Sequence, residues 1–430
     1  MEILIVGPNY APEPVGVGPC TTGMAEMLAK AGHQVRVVCG TPSYPQWKVI
    51  PRYRRLRLWR AVENGVKIIR LPHYVPSVPN GLRRLLHLGS FAVLAFLVVS
   101  ALIVRRRPSA VVAIIPSSMA AIAARLCAGL FRLPFWVHVQ DLEAEMAIAT
   151  GQIGGSSWAL RLARAVQRMA LGGDRVSSIS PAMCRHLADK RVSRHDIVEF
   201  PNWARPDVAP IDQPSPYRAE WKIDRPFVAL YSGNIAAKQG VEIIARTAHL
   251  LAHRRDPMFV ICGDGPRKRE LADSVADCDN IRFYDLQPAD RLADLLGLAT
   301  IHLLPQIAGA ADLVLPSKLP NMLASGRPVV ATVSPQTDLG RELRGCGLIV
   351  PPDDAHAFAD AIARLLNDEA LREKLGRAAH GKAVERWSKQ AILAGFEREL
   401  CAVVAQHNWP TMMPDPGERV AGTAAARAGG

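Results

Sequence analysis

Twice along this chain a short run of β-branched residues leads into a glycine-bearing loop and then into a helical stretch. The first unit is a strand over residues 3–6, a loop over 7–18, a helix over 21–31 ended by Gly32, and a second strand over 34–39. The second unit is a strand over 227–231, a loop over 232–240 and a helix that starts at Val241. A strand that turns directly into a helix and back into a strand pairs in parallel, because the helix must cross back over the sheet before the chain re-enters it. The repeat therefore predicts an α/β fold of two Rossmann-like doubly wound domains, with ligands bound at the carboxyl ends of the strands. A length of 430 residues is enough for two such cores.

Further strands are expected at 66–71, 108–115, 135–141, 175–179 and 196–200 in the first half. The second half is expected to add 258–262, 281–284, 301–304, 329–331 and 348–350. The basic stretch 43–60 shows no clear period and reads as an irregular excursion with a solvated face. A proline-rich segment over 206–216 reads as the interdomain linker. The expected division is a first domain over 1–205 and a second over 206–387. A helix over 388–405, long enough to return to the first domain, and a disordered tail over 406–430, rich in Pro, Gly and Ala, follow.

Several positions suit an anionic ligand. Gly16 and Gly18 let backbone amides approach a phosphate or sugar closely, although a glycine pair after a strand fits a tight turn equally well. In the second half Gly233, Asn234 and Lys238 follow one strand, and Gly263 and Gly265 follow the next. Residues 313–332 read as a loop, a short helix and a buried strand. Ser317 is expected as the N-cap, Pro320 falls in the first turn, and Gly326 ends the helix. Lys318 beside that helix start adds a cation. His138 and Asp141 stand together at a strand's carboxyl end.

A net charge of +13 favours anionic partners. Arginines gather at 52–60, 83–84 and 105–107. The last two clusters bracket residues 85–104, an uncharged apolar run close to the length of about 20 residues that spans a bilayer. A strand follows this run at once, and a crossing would split one sheet between two compartments. The run is thus expected either inside the domain or in the membrane interface with its arginines on lipid phosphates, and the interfacial reading is preferred. On it Phe91, Leu94 and Phe96 should face lipid. The eight cysteines form no CxxC pair and read as single thiols of a cytoplasmic protein, and no aromatic-basic platform for nucleic acid is present.

The ordered set NYAPEPVGVG, PSYPQWKV, HVQD, FPNW, SGNIAAKQG, GDGP and PSKLPNMLASGRPVV spans residues 1–405. It resembles the two-domain (GT-B) sugar transferases of glycosyltransferase family 4, in the branch of colanic-acid-type exopolysaccharide enzymes. The resemblance implies transfer of a sugar from a nucleotide diphosphate donor, GDP-fucose or another GDP- or UDP-sugar, with retention of configuration and without a metal or other cofactor. The second domain would hold the nucleotide and the first the acceptor, a polyprenyl-diphosphate-linked saccharide. By position, Lys238 matches the lysine that neutralises the diphosphate, and Gly16 and Gly18 match the loop over the donor phosphates. His138 and Asp141 match the segment near the reacting sugar, with either able to be the key group. Asn234 stands where many members have arginine. Asn321 and Leu313, the latter next to Asp312, stand where many have two glutamates; Asn321 can still hydrogen-bond a ribose, and Ser317 with Lys318 supply anion contacts.

Two rivals remain at this level. A nucleotide-sugar epimerase of the same fold needs no lipid acceptor, so the basic apolar segment counts against it. A membrane-attached binding protein that has lost catalysis is supported only by Asn234 and Asn321. The transferase reading carries a peripheral location on the inner face of the cell membrane, on an anionic surface, without nucleic acid.

Overall fold

The computed structural model describes residues 1–14, 16–78, 80–141, 157–190, 192–308 and 315–408, with backbone only at 157–160, 194, 238 and 408. The expectations for Leu313, for the Lys238 side chain and for the tail beyond residue 408 lie outside the described residues.

The first sheet comprises β1 (Glu2–Val6), β2 (Gln34–Gly40), β3 (Trp59–Glu63), β4 (Val66–Leu71), β5 (Ala110–Ile115), β6 (Phe135–Val139), β7 (Arg175–Ser178) and β8 (Ile197–Glu199), in the order β3-β4-β2-β1-β5-β6-β7-β8. Its central strands are apolar on both faces, because helices cover both. The second sheet comprises β9 (Phe227–Ser232), β10 (Pro257–Cys262), β11 (Ile281–Tyr284), β12 (Ile301–Leu304), β13 (Val329–Thr332) and β14 (Gly347–Val350), in the order β11-β10-β9-β12-β13-β14. Every described pairing is parallel except β3 with β4.

That exception corrects the irregular reading of 43–60, the end of which enters β3. Asn64 and Gly65 both take positive φ, 48° and 80°, and close a two-residue hairpin turn whose twist matches the flanking strands.

The apolar run forms the helix Gly81–Arg105, started by Asn80, whose side chain accepts from the Arg83 amide. Its buried residues, His87, Phe91, Ala95, Val99 and Ile103, recur every four positions, so one stripe faces the core and the helix Ser118–Leu130. Phe91 is fully buried, which corrects its assignment to a lipid-facing surface. The opposite face exposes Leu85, Val93, Phe96, Leu97 and Val104. It is the one helix among the described residues long and apolar enough to cross a membrane.

The final helix, Lys389–Asn408, lays Leu393, Phe396, Leu400 and Val403 into the core of the first sheet with Ile3, Trp136 and Phe200. This spacing of three and four residues is one face of a helix. The chain thus crosses between the domains a second time.

Candidate functional site

The carboxyl ends of β1 and β6 in one sheet, and of β9, β10 and β12 in the other, with the segments that follow them, carry the predicted residues. Gly16 takes φ +75°, and a Cβ there would lie 3.2 Å from the Tyr44 ring. Gly18 opens the helix Gly18–Lys30, which has no side-chain cap and so leaves its first amides for water or a ligand.

In the second domain the loops after β9 and β10 touch along their backbones. A Cβ on Gly263 would fall 1.9 Å from the Gly233 carbonyl oxygen, and one on Gly265 would fall 2.2 Å from that of Ile235. The Ile235 amide donates to the Asp264 carbonyl at 2.8 Å. Close packing of the two loops thus accounts for Gly263 and Gly265 without any ligand. The Asn234 side chain is exposed, and its carbonyl accepts from the Tyr231 hydroxyl at 2.6 Å. Lys238 belongs to the single turn Ala237–Gln239 beside these loops.

Lys318 turns inward beneath Gly233. Its ammonium stands 3.9 Å from the centre of the Tyr231 ring and donates to the Ser232 carbonyl at 3.4 Å. Desolvation pulls it down from the usual lysine range to about 7. Among the described residues no carboxylate pairs with it. The expected cap at Ser317 is corrected: Ser317 is exposed, Lys318 occupies the N-cap of the helix Leu319–Ala324, and no side chain caps it. The Leu319 amide reaches back to Pro316 instead, at 3.0 Å, so a turn replaces the hydroxyl.

Asn321 has a partner within the chain. Its Oδ1 accepts from the Arg205 amide at 2.7 Å, and the neighbouring Ala204 amide donates to the Trp387 carbonyl at 2.9 Å. This hydrogen bond fastens residue 205, just before the linker, to the second domain.

His138 and Asp141 separate clearly. His138 is 2% exposed on β6; its Nδ1–H donates to Ser177 Oγ at 2.9 Å, and its Nε2 accepts from Gln140 at 2.8 Å. Trp136 donates to the same Ser177 oxygen, and Gln140 and Asn202 exchange two amide hydrogen bonds of 2.9 Å each. Burial lowers His138 to about 3, so the ring is neutral and holds β6 to β7 and to the start of the linker. Asp141 lies just beyond the strand, half-buried at the sheet's carboxyl edge.

Two features carried no sequence signal of their own. Asp338 of the second domain is 5% exposed and accepts from the Ala182 amide and from Arg185, at 2.8 Å, of the first, while Arg341 also binds it. These contacts hold its carboxyl below the usual range despite burial. Glu13, inside the NYAPEPVGVG stretch, is a buried carboxylate between two cleft loops.

Residues 15–203 match the family model of the glycosyl transferase 4-like domain, and residues 226–368 match that of the glycosyl transferases group 1. The chain is 35% identical over 415 residues to a protein of Escherichia coli K12 named for colanic acid biosynthesis glycosyl transfer, WcaI. The match covers 93% of this chain and 100% of that one. Among solved structures, sucrose-phosphate synthase from Thermosynechococcus elongatus superposes with a TM-score of 0.73 at 17% identity, covering 94% of this chain and 100% of that chain. Anabaena HepE in complex with UDP-glucose superposes with a TM-score of 0.68 at 14% identity, over the same shares.

Proposed function

The chain belongs to the glycosyltransferases that join a 4-like first domain to a group 1 second domain on the GT-B fold, and from that premise we propose a retaining, metal-independent transfer of a sugar from a nucleotide diphosphate to a lipid-linked saccharide. GDP-fucose or another GDP- or UDP-sugar is the donor, and the product belongs to exopolysaccharide assembly. The observation that carries the reading is Lys318. An inward-turned ammonium without a carboxylate partner among the described residues, beneath a glycine turn, is a seat prepared for an anion.

The demanding event in such a transfer is departure of the nucleotide diphosphate. The bond from the anomeric carbon to the diphosphate oxygen breaks, the acceptor hydroxyl oxygen takes that place, and the hydroxyl proton is lost. Charge grows on the leaving oxygens, and fixed cations stabilise it without reorganising. We assign that work to Lys318 and, from the family position, to Lys238. We place Asp141 rather than His138 beside the reacting sugar, because His138 is 2% exposed while Asp141 is half-buried at the carboxyl edge of the sheet. The exposed face of the helix Gly81–Arg105, with Arg83, Arg84 and the 105–107 cluster, supports a peripheral seat on an anionic bilayer.

The test is nucleotide release from GDP- and UDP-sugars, with and without membrane lipid extract. Lipid-dependent release supports the transferase. Epimer formation without lipid, or no reaction with any donor, contradicts it.

A further inference from the structure

The loop 41–50 after β2 holds two aromatic rings at the carboxyl end of the first sheet. Glu13, 5% exposed, clamps one end: its Oε1 accepts from the amides of Ser43 and Tyr44, both at 3.0 Å, and its Oε2 accepts from Asn9 at 2.8 Å. The Lys48 amide reaches the Ser43 carbonyl at 3.3 Å, and the Ile50 amide reaches Pro42 at 3.2 Å, so the loop closes on itself. At its far end Trp47 takes φ +54°, a left-handed conformation that bulky residues avoid and that marks functional sites. That backbone lays the Trp47 ring edge-on against His87 at 5.3 Å. His87 is in turn fixed by the Tyr74 carbonyl at 2.6 Å and by the His73 ring at 4.6 Å.

Between these anchors the Tyr44 ring is 40% exposed, against the glycine position 16. A packing role does not explain an aromatic side chain left this open on a loop held by a buried carboxylate. A tyrosine or tryptophan face is apolar with a polar rim, which matches the C–H face and hydroxyl edge of a sugar ring. Residues 41–50 include Lys48 and no carboxylate, so the loop admits a neutral or anionic glycan. His87 lies on the core-facing stripe of the helix Gly81–Arg105, so Trp47 ties the loop to the same helix whose opposite face exposes its apolar residues.

We propose that Tyr44 and Trp47 form the subsite for the acceptor saccharide, and that Glu13 is the positioning residue that holds Tyr44 in place. The proposal rests on the transferase reading. Its test follows label from a sugar nucleotide into membrane lipid extract, with lipid-free nucleotide release and thermal unfolding measured alongside. Tyr44→Ala and Trp47→Ala are expected to raise the apparent KM for extract by about tenfold, the scale of one lost aromatic contact, with kcat and donor KM held within about twofold. Tyr44→Phe keeps the wild-type value. Glu13→Ala reproduces Tyr44→Ala, while Glu13→Gln, whose amide oxygen still accepts from Ser43 and Tyr44, restores it. An unchanged acceptor KM in Tyr44→Ala overturns the subsite, as does an equal loss of lipid-free nucleotide release. A wild-type protein that releases no nucleotide overturns the transferase reading itself, and the subsite with it.

Discussion

The Lys318 ammonium lies 3.9 Å from the centre of the Tyr231 ring and 3.4 Å from the Ser232 carbonyl oxygen, with no carboxylate partner among the described residues. Held at about 7 by desolvation, it is largely neutral above that pH until an anion arrives. A bound diphosphate favours the charged form, so binding takes up a proton above neutral pH. The sign follows: the dissociation constant for UDP or GDP rises with pH above 7, by up to about tenfold per pH unit. Lys318→Arg, charged throughout, flattens that dependence. Calorimetry in two buffers of different ionisation enthalpy measures the uptake directly, and a flat profile in the wild type contradicts the assignment.

Asn321 accepts from the Arg205 amide, just before the interdomain linker. Asn321→Ala leaves the Arg205 amide without its acceptor, at a cost of about 1–3 kcal/mol where that amide stays shielded from water. Asn321→Asp keeps an acceptor and most of the stability. Urea unfolding reads the cost. An Asn321→Ala protein with unchanged stability and weakened UDP or GDP binding would return the residue to the nucleotide.

Buried histidines, His73, His138 and His302 among them, make the fold sensitive to mild acid. Burial lowers His73 to about 4 and His138 and His302 to about 3, so each stays neutral in the folded state while the unfolded chain takes up protons below about 6.5. Stability is therefore full above that value and falls as pH drops toward 4, by up to about 1.4 kcal/mol per pH unit for each ring. Thermal midpoints at pH 7.5, 6.5 and 5.5 should fall before carboxylates titrate, and His138→Gln should shallow the slope. A midpoint unchanged between 7.5 and 5.5 contradicts this.

If the proposed membrane seat holds, the two faces of the helix Gly81–Arg105 have separable roles. Val93→Glu with Leu97→Glu alters exposed positions and should move the protein off anionic vesicles while leaving its unfolding unchanged. Phe91→Ala opens a buried site and should cost about 3–5 kcal/mol with vesicle binding retained in the folded fraction. Flotation with phosphatidylserine vesicles distinguishes them. Equal flotation of the Val93/Leu97 variant and the wild type contradicts the peripheral seat.

The parallel sheets were legible because their strands are short apolar runs joined to helices by glycine loops, and each such junction is local in the chain. β3 escaped notice because Trp59 and Arg60 continue the arginine-rich stretch before it, although Asn64-Gly65 marks the hairpin. The faces of the apolar helix were not legible from hydropathy: Phe91 and Phe96 are alike in composition, and only packing against Ser118–Leu130 separates the buried ring from the exposed one. The glycine loops were recognisable as tight turns at strand ends, and Lys318 as a cation at a helix start. That Asn321 faces the linker and that His138 is locked between Ser177 and Gln140 depend on partners 116 and 39 residues away, which no local pattern reveals.

The central claim is that Lys318 helps a nucleotide diphosphate leave as its sugar moves to a lipid acceptor. Transfer of radiolabel from GDP-fucose and UDP-glucose into the organic phase of membrane lipid extract, compared between wild type and Lys318→Ala, tests it most directly. Lipid-soluble label is expected in the wild type with at least one donor, and a loss of about two orders of magnitude in turnover in the variant, the scale of one removed charge-stabilising donor. Wild-type turnover in Lys318→Ala, or no lipid-soluble label from either donor in the wild type, would contradict it.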